Sequence, residues 1–252
     1  MIFKRAIAKL RAQDWTAITI ELVIVTLGVL IALAAQQWAN NRSQRNQMDV
    51  DMKAVRDELA VHYGYAVEYR VVYPCMRAQM DQLRDRVLSS GATLNPARLY
   101  RDEYFSFVIQ EPDKLYSNDA WQAAIDDGTT QRISPRMRRI LAGHYGQLHE
   151  LETINQRNTI DADYGYIALT QPLPLDPTVR YSIMKEIEQE RARMEYVDYL
   201  NGQVIDYIQS LGMLPPPKDA IKTTERWGTY QFCKAHGLPM RSFKDAMVAV
   251  PN

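Results

Sequence analysis

Ala17 to Ala35, AITIELVIVTLGVLIALAA, is an apolar run with a single ionisable side chain, Glu21. Its roughly 19 residues, at about 1.5 Å of rise each, cover about 28 Å as a helix, close to the hydrocarbon thickness of a bilayer. Trp15 and Trp38 bracket it where interfacial aromatic belts sit. The run predicts a transmembrane helix over 17–38, with Trp15 and Trp38 as interfacial anchors and the lipid bilayer as the first partner. Most of the remaining chain must then lie on one side of a membrane.

The segment before it, MIFKRAIAKLRAQDW, sets Phe3, Ala6, Ile7 and Leu10 against Lys4, Arg5, Lys9 and Arg11. That pattern predicts an amphipathic interfacial helix over 1–16. A basic segment ahead of an apolar one is also how a cleaved signal begins, and Ala32-Leu33-Ala34 offers a small-residue cleavage site. The length of the run, the early Glu21 and the patterned basic segment favour an anchor. Four basic residues precede the helix, and Arg42 and Arg45 follow it closely. This bias places the N-terminus in the cytoplasm and the domain at 39–252 outside, in the periplasm of a bacterium.

Within the anchor, Glu21, Gly28, Ala32 and Ala35 fall on one helical face, with Val23 and Leu30 opposite. Lipid tails are as apolar as leucine, so membrane helices associate through the close packing that small residues permit. Glu21 lies about one turn inside, where a carboxylate needs a partner, a proton or a route to the headgroups. This face is expected to dock on other membrane protein helices, in a homo-oligomer or a larger complex.

After a polar stretch at about 39–51, read as a helical stalk or a linker, a period of 3.5 residues sets in. Met48, Met52, Val55, Leu59, His62 or Tyr63, Ala66, Tyr69, Tyr73, Met76, Met80, Leu83 and Val87 form a coiled-coil-like seam. Pro74 interrupts it and predicts a kink or a break; Ser89-Ser90-Gly91 predicts the stop. Asn95-Pro96, Ser134-Pro135 and Asp176-Pro177 each pair a capping residue with proline at the first helical position. They predict helices over 96–108, 135–168 and 177–211. SNDAWQAAIDD at 117–127 reads as a short helix ended by Gly128, and a last helix is expected over 219–236, ended by Gly237. No alternating pattern rises above this helical signal. The expected fold is all-α, a transmembrane helix followed by a helical bundle with long helices.

Catalytic signatures are missing. His144 and His149 are five apart and do not face one metal; there is no HExxH, no phosphate loop and no nucleophile elbow. The histidines His62, His144, His149 and His236 are read as exposed or singly bonded. Asp126-Asp127-Gly128 and Asp161-x-Asp163 are read as solvated acids without supporting ligands. No cofactor or metal is expected, and the chain is read as no enzyme. A formal net charge of zero argues against nucleic acid as a partner, since that asks for a basic face. The two cysteines, Cys75 and Cys233, form no metal-binding motif. They stand either as one disulfide or as two buried thiols. Fifteen tyrosines, among them the stripe Tyr65, Tyr69 and Tyr73 with Tyr164, Tyr166, Tyr196, Tyr199 and Tyr207, either line a pocket or pack helices.

The run DWTAITIELVIVTLGVLIALAAQQW resembles the N-terminus of a group of uncharacterised proteobacterial single-pass inner-membrane proteins, in which an LGVxIxLxxxxW anchor precedes a helical domain. YPCMRAQMDQL and the segment from Asp119-Ala120-Trp121 to Gly128 look similar to theirs as well. The resemblance implies inner-membrane location and the helical layout, and carries no activity. The expectation is a non-enzymatic accessory or scaffold subunit of an inner-membrane complex, with a periplasmic ligand-sensing bundle as the alternative.

Overall fold

The structure, a computed structural model, describes residues 15–101, 106–161 and 170–250. The expected interfacial helix over 1–16 falls almost wholly outside these residues, as do Asp163, Tyr164 and Tyr166. The chain divides into two compact units, Met1–Val50 and Asp51–Asn252. The fold is all-α, with long helices and, among the described residues, strands of two residues each.

In the first unit the chain is helical from Trp15 onward, the start of α1 (Trp15–Ser89). From Ile20 to Leu33 the large apolar side chains are exposed, and none of the most apolar window is buried inside the molecule. By length and composition it is one helix able to cross a membrane, near the N-terminus. Residues 39–50 are helix rather than a flexible linker. Trp38 is exposed, with the Arg42 guanidinium 5.8 Å from its ring centre.

In the second unit the seam on α1 is the core. Val55, Leu59, Ala66, Met76, Met80 and Val87 have no exposed surface, and both candidates for the shared position, His62 and Tyr63, are buried. The assigned helix runs through Pro74 without a break. Proline removes the donor owed to the Arg70 carbonyl and crowds the preceding turn. The neighbouring Val71 carbonyl accepts from the Arg241 backbone N–H at 2.9 Å. A bond from the C-terminal segment thus supports the helix where proline weakens it. At its end, Arg180 donates to the carbonyls of Val87, Ser90 (2.9 Å) and Gly91 (3.0 Å), which the helix itself leaves without donors.

The capped starts divide two to one. Asp176 accepts from the Thr178 and Val179 amides at 2.7 and 2.9 Å and opens α4 (Pro177–Ser210). Ser134 Oγ accepts from the Met137 amide at 3.2 Å and opens α3 (Pro135–Asp161). Residues 162–168 of the expected third-helix span lie outside the described residues. Asn95-Pro96 opens no helix. Among the described residues of 96–108 the expected helix is corrected: 102–105 lie outside them, and β2 (Tyr100–Arg101) pairs antiparallel with β3 (Ser106–Phe107); upstream, β1 (Thr93–Leu94) pairs with β4 (Leu173–Pro174). Tyr100 stacks on Phe107 at 6.1 Å, and Phe232 meets both rings at 5.0 and 5.6 Å. This long-range aromatic cluster outweighs a local start signal.

The short helix α2 (Asp119–Asp126) ends at Gly128, whose φ of 70° is the left-handed conformation glycine tolerates. The single helix expected over 219–236 is corrected to two, α5 (Pro217–Thr224) and α6 (Gly228–Ala235). The turn between them delivers Trp227 to the Tyr65 ring, 5.6 Å away, and Gly228 gives up little helical propensity there. Gly237, φ 62°, ends α6 while the Leu238 amide reaches back to the Cys233 carbonyl at 3.0 Å. Cys75 and Cys233 are bonded, tying α6 to α1 at a Cα separation of 6.0 Å. The tail, with α7 (Phe243–Ala246), closes on the same elements. Arg241 clasps Asp198 of α4 with both nitrogens, at 2.8 and 2.9 Å, Arg70 of α1 donates to the Val248 carbonyl, and the Val250 amide donates to the Gly202 carbonyl at 3.1 Å. A Cβ at Gly202 would overlap the Val250 side chain, so glycine is what lets the tail approach.

Candidate functional site

Buried polar groups concentrate on one side of α1, between Glu58 and Glu68, where α1 meets α3, α4 and the strap Val108–Ser117. Glu58 gathers three donors: Tyr145 Oη at 2.6 Å, Ser117 Oγ at 3.0 Å and the Ala120 amide at 3.2 Å. Ala120 is in the first turn of α2, so a carboxylate from α1 satisfies that helix's otherwise unpaired N–H. Trp121 stacks on Tyr145 with ring centres 5.3 Å apart.

One turn on, His62 Nδ1 and His144 Nε2 are 3.0 Å apart, with side chains 1% and 0% exposed. Of the two alternatives expected, exposed or singly bonded, His62 and His144 take the second: each lies in the core with the other as its partner. Burial pushes His62 down to about 4, against a smaller upward pull from Glu58 and the Ser117 backbone. Burial and the neighbouring His62 push His144 down to about 3. Both rings are therefore neutral at pH 7, and the contact is one N–H donating to one lone pair. His149 lies on the same helix outside this pair, and His236 packs on Phe232 at 4.2 Å. Among the described residues, no group of three or more His, Cys, Asp or Glu is placed to hold a metal ion.

A fully buried acid follows two turns later. Glu68 is 0% exposed, and its carboxylate meets Lys114 Nζ at 3.3 Å. The ammonium also sits 4.1 Å from the Trp227 ring centre and 5.6 Å from that of Tyr65. Burial raises Glu68 to about 7, because Lys114 offsets only part of the lost hydration. Around this pair, Tyr65, Tyr69, Tyr116, Leu151, Val197 and Asn201 border a cavity of about 30 Å³. That is room for about one water molecule.

The tyrosine stripe thus splits. Tyr65 and Tyr69 reach the small cavity, while Tyr73 packs under Arg241 at 5.7 Å. Tyr196 and Tyr199 stack near the surface, and Tyr207 fills the space left by Gly143, where a Cβ would lie 2.8 Å from its ring. A larger groove of about 180 Å³ is lined by Gln79, Gln82, Arg86, Arg98 and Tyr100, among others. Asp126-Asp127-Gly128 is a helix end, and Asp161 is the last described residue of α3. In the first unit, Glu21, Gly28, Ala32 and Ala35 are exposed, and a Cβ on Gly28 would meet nothing within 4 Å.

The sequence carried little sign of either buried pair. His62 and His144 are 82 residues apart, and Lys114 comes from a strap with no periodic pattern. The one available signal was that His62 occupies a seam position otherwise filled by apolar residues. No family model, curated protein or solved structure matches this chain.

Proposed function

We propose that the chain is a non-enzymatic, membrane-anchored accessory or scaffold subunit of a bacterial inner-membrane protein complex. On this reading the N-terminus is cytoplasmic, α1 crosses the bilayer once and the helical domain lies in the periplasm. The observation that carries it is the apolar stretch from Ile20 to Leu33, exposed along its whole length. A soluble protein would have to bury such a surface, whereas lipid accepts it. The Cys75–Cys233 bond supports an oxidising compartment for the second unit. His62 and His144 partner each other, Glu58 fastens Tyr145, Ser117 and the start of α2, and Glu68 meets Lys114, which supports a role for these groups in holding the helices together. The resemblance to uncharacterised proteobacterial single-pass proteins agrees with this placement.

Within the membrane, the face of Glu21, Gly28, Ala32 and Ala35 is the surface for other membrane helices, and nucleic acid is no partner. The alternative, a periplasmic ligand-sensing bundle that signals through a partner, draws on the convergence of Tyr65, Tyr69 and Tyr116. Their cavity of about 30 Å³ requires the strap to move before anything larger than water enters. Affinity purification from native membranes in mild detergent tests the proposal. The expected result is other membrane proteins in fixed ratio with this chain. Recovery of the chain alone, with a small molecule retained, would favour the sensing alternative.

A further inference from the structure

The groove of about 180 Å³ beside the last turns of α1 is built from three pieces of chain. Gln79, Gln82, Leu83 and Arg86 stand at i, i+3, i+4 and i+7 of α1 and so share one face. Arg98 and Tyr100 border it from the chain after α1, and Val108 from the start of the strap. The Arg98 guanidinium lies 5.0 Å from the centre of the buried Tyr100 ring, which holds a long, flexible cation in place. Tyr100 Oη in turn is 3.4 Å from Gln82 Oε1.

The polar part of this lining is rich in donors and carries one sign of charge. Arg86 and Arg98 are the charged groups among its described residues, and no carboxylate borders it. The acids at neighbouring positions of α1 face other cations: Asp81 meets Arg191 at 3.1 Å, and Asp85 lies 3.8 Å from Arg84. Burial lowers Arg86 from its ordinary value, and a guanidinium stripped of part of its water attracts an anion more strongly than an exposed one. Gln79 is 2% exposed and only half of its amide is well used. Its Oε1 accepts from the Gln110 backbone N–H at 2.8 Å. Its Nε2 finds the Gln110 carbonyl at 3.4 Å, the Cys75 carbonyl at 3.5 Å and the Cys75 Sγ at 3.6 Å, all too long for a good hydrogen bond. A buried N–H without a good acceptor is costly, and an acceptor atom in the groove removes that cost.

We propose that this groove binds a small organic carboxylate with an apolar body about the size of one ring. The carboxylate oxygens accept from Arg86, Arg98 and the Gln79 amide, and the body lies against Leu83, Val108 and the Tyr100 ring. Guanidinium forks match the planar geometry of a carboxylate. A cavity of about 150 Å³ takes up benzene. A volume of about 180 Å³ therefore has room for a ring and its carboxylate. A bare inorganic anion satisfies the cations but leaves the apolar wall unfilled. The site adds ligand binding to the second unit and rests on neither the anchor nor its orientation, so its failure leaves the accessory reading standing.

Ligand-observed NMR on the full chain in a nonionic detergent, with detergent alone as background, tests this. Benzoate is the probe, benzamide its neutral isostere and inorganic phosphate the bare anion. The wild type should bind benzoate saturably, with half-saturation near ~1 mM, and benzamide about tenfold more weakly. Arg86→Met and Arg98→Met should each weaken benzoate by about tenfold, through loss of one charge-assisted contact. Arg98 is exposed, so its variant serves even where Arg86→Met fails to fold. Gln79→Glu keeps an oxygen for the Gln110 N–H but puts an anion in place of the donor, and should abolish binding. Variants are compared once their melting temperatures match the wild type. No saturable binding of benzoate, equal affinity for benzamide, binding that survives in both arginine variants, or full displacement by equimolar phosphate would each overturn the proposal.

Discussion

Two kinds of buried ionisable group in the second unit pull its stability in opposite directions as pH changes. The histidines His62 and His144 are held at about 4 and about 3, below their ordinary value of 6.5. Below that ordinary value the unfolded chain takes up protons that the folded core refuses, so their contribution is present above 6.5 and lost as pH falls toward 4. Glu68 is held at about 7, above its ordinary 4.5. Its contribution is present below 4.5 and lost as pH rises through 7. Between these limits the acid offsets part of what the histidines lose. Urea unfolding at pH 7, 6 and 5 should therefore show Glu68→Gln losing stability more steeply toward acid than the wild type. The difference should be on the order of 1–2 kcal/mol across the range. Coincident slopes would mean that Glu68 does not titrate in this window. None of these residues was legible from the sequence as a buried pair. Periodicity marks which face of a helix is covered, not which distant side chain covers it.

At the scale of elements, periodicity and capping carried furthest where the two agreed. The seam on α1 is the core, and Ser134-Pro135 and Asp176-Pro177 open α3 and α4 at the expected residues. Asn95-Pro96 has the same local chemistry but no apolar period behind it, and the rings of Tyr100, Phe107 and Phe232 decide its conformation instead. Pro74 shows the converse. Its local cost is real, and a bond from Arg241 to the Val71 carbonyl supports the turn where it falls. The anchor is the element where sequence reasoning reaches furthest beyond contacts within the chain. A Cβ added at Gly28 meets nothing within 4 Å, so no contact within the described residues stands in the way of a side chain there. If the small face docks on another membrane helix, Gly28→Leu should abolish most crosslinking to partners in native membranes, while Leu30→Ala on the far side should leave it intact. Equal loss in both variants, or loss in neither, would remove the interface from this face.

At the scale of the whole molecule, the first unit carries the exposed apolar stretch, and in the second the Cys75–Cys233 bond ties α6 to the core seam of α1. Composition supplied expectations at this scale: a near-zero net charge, two cysteines and one long apolar run. What composition could not supply is the side of the membrane, which rests on a modest excess of basic residues ahead of the anchor. The most direct measurement is therefore topological, on full-length fusions made after Asn252 so that the tail can still close on α1 and α4. Alkaline phosphatase at that position should be active and green fluorescent protein dark, with both chains recovered in the membrane fraction. Active phosphatase requires export, so an inactive phosphatase with a bright fluorescent fusion would put the domain in the cytoplasm and contradict the account.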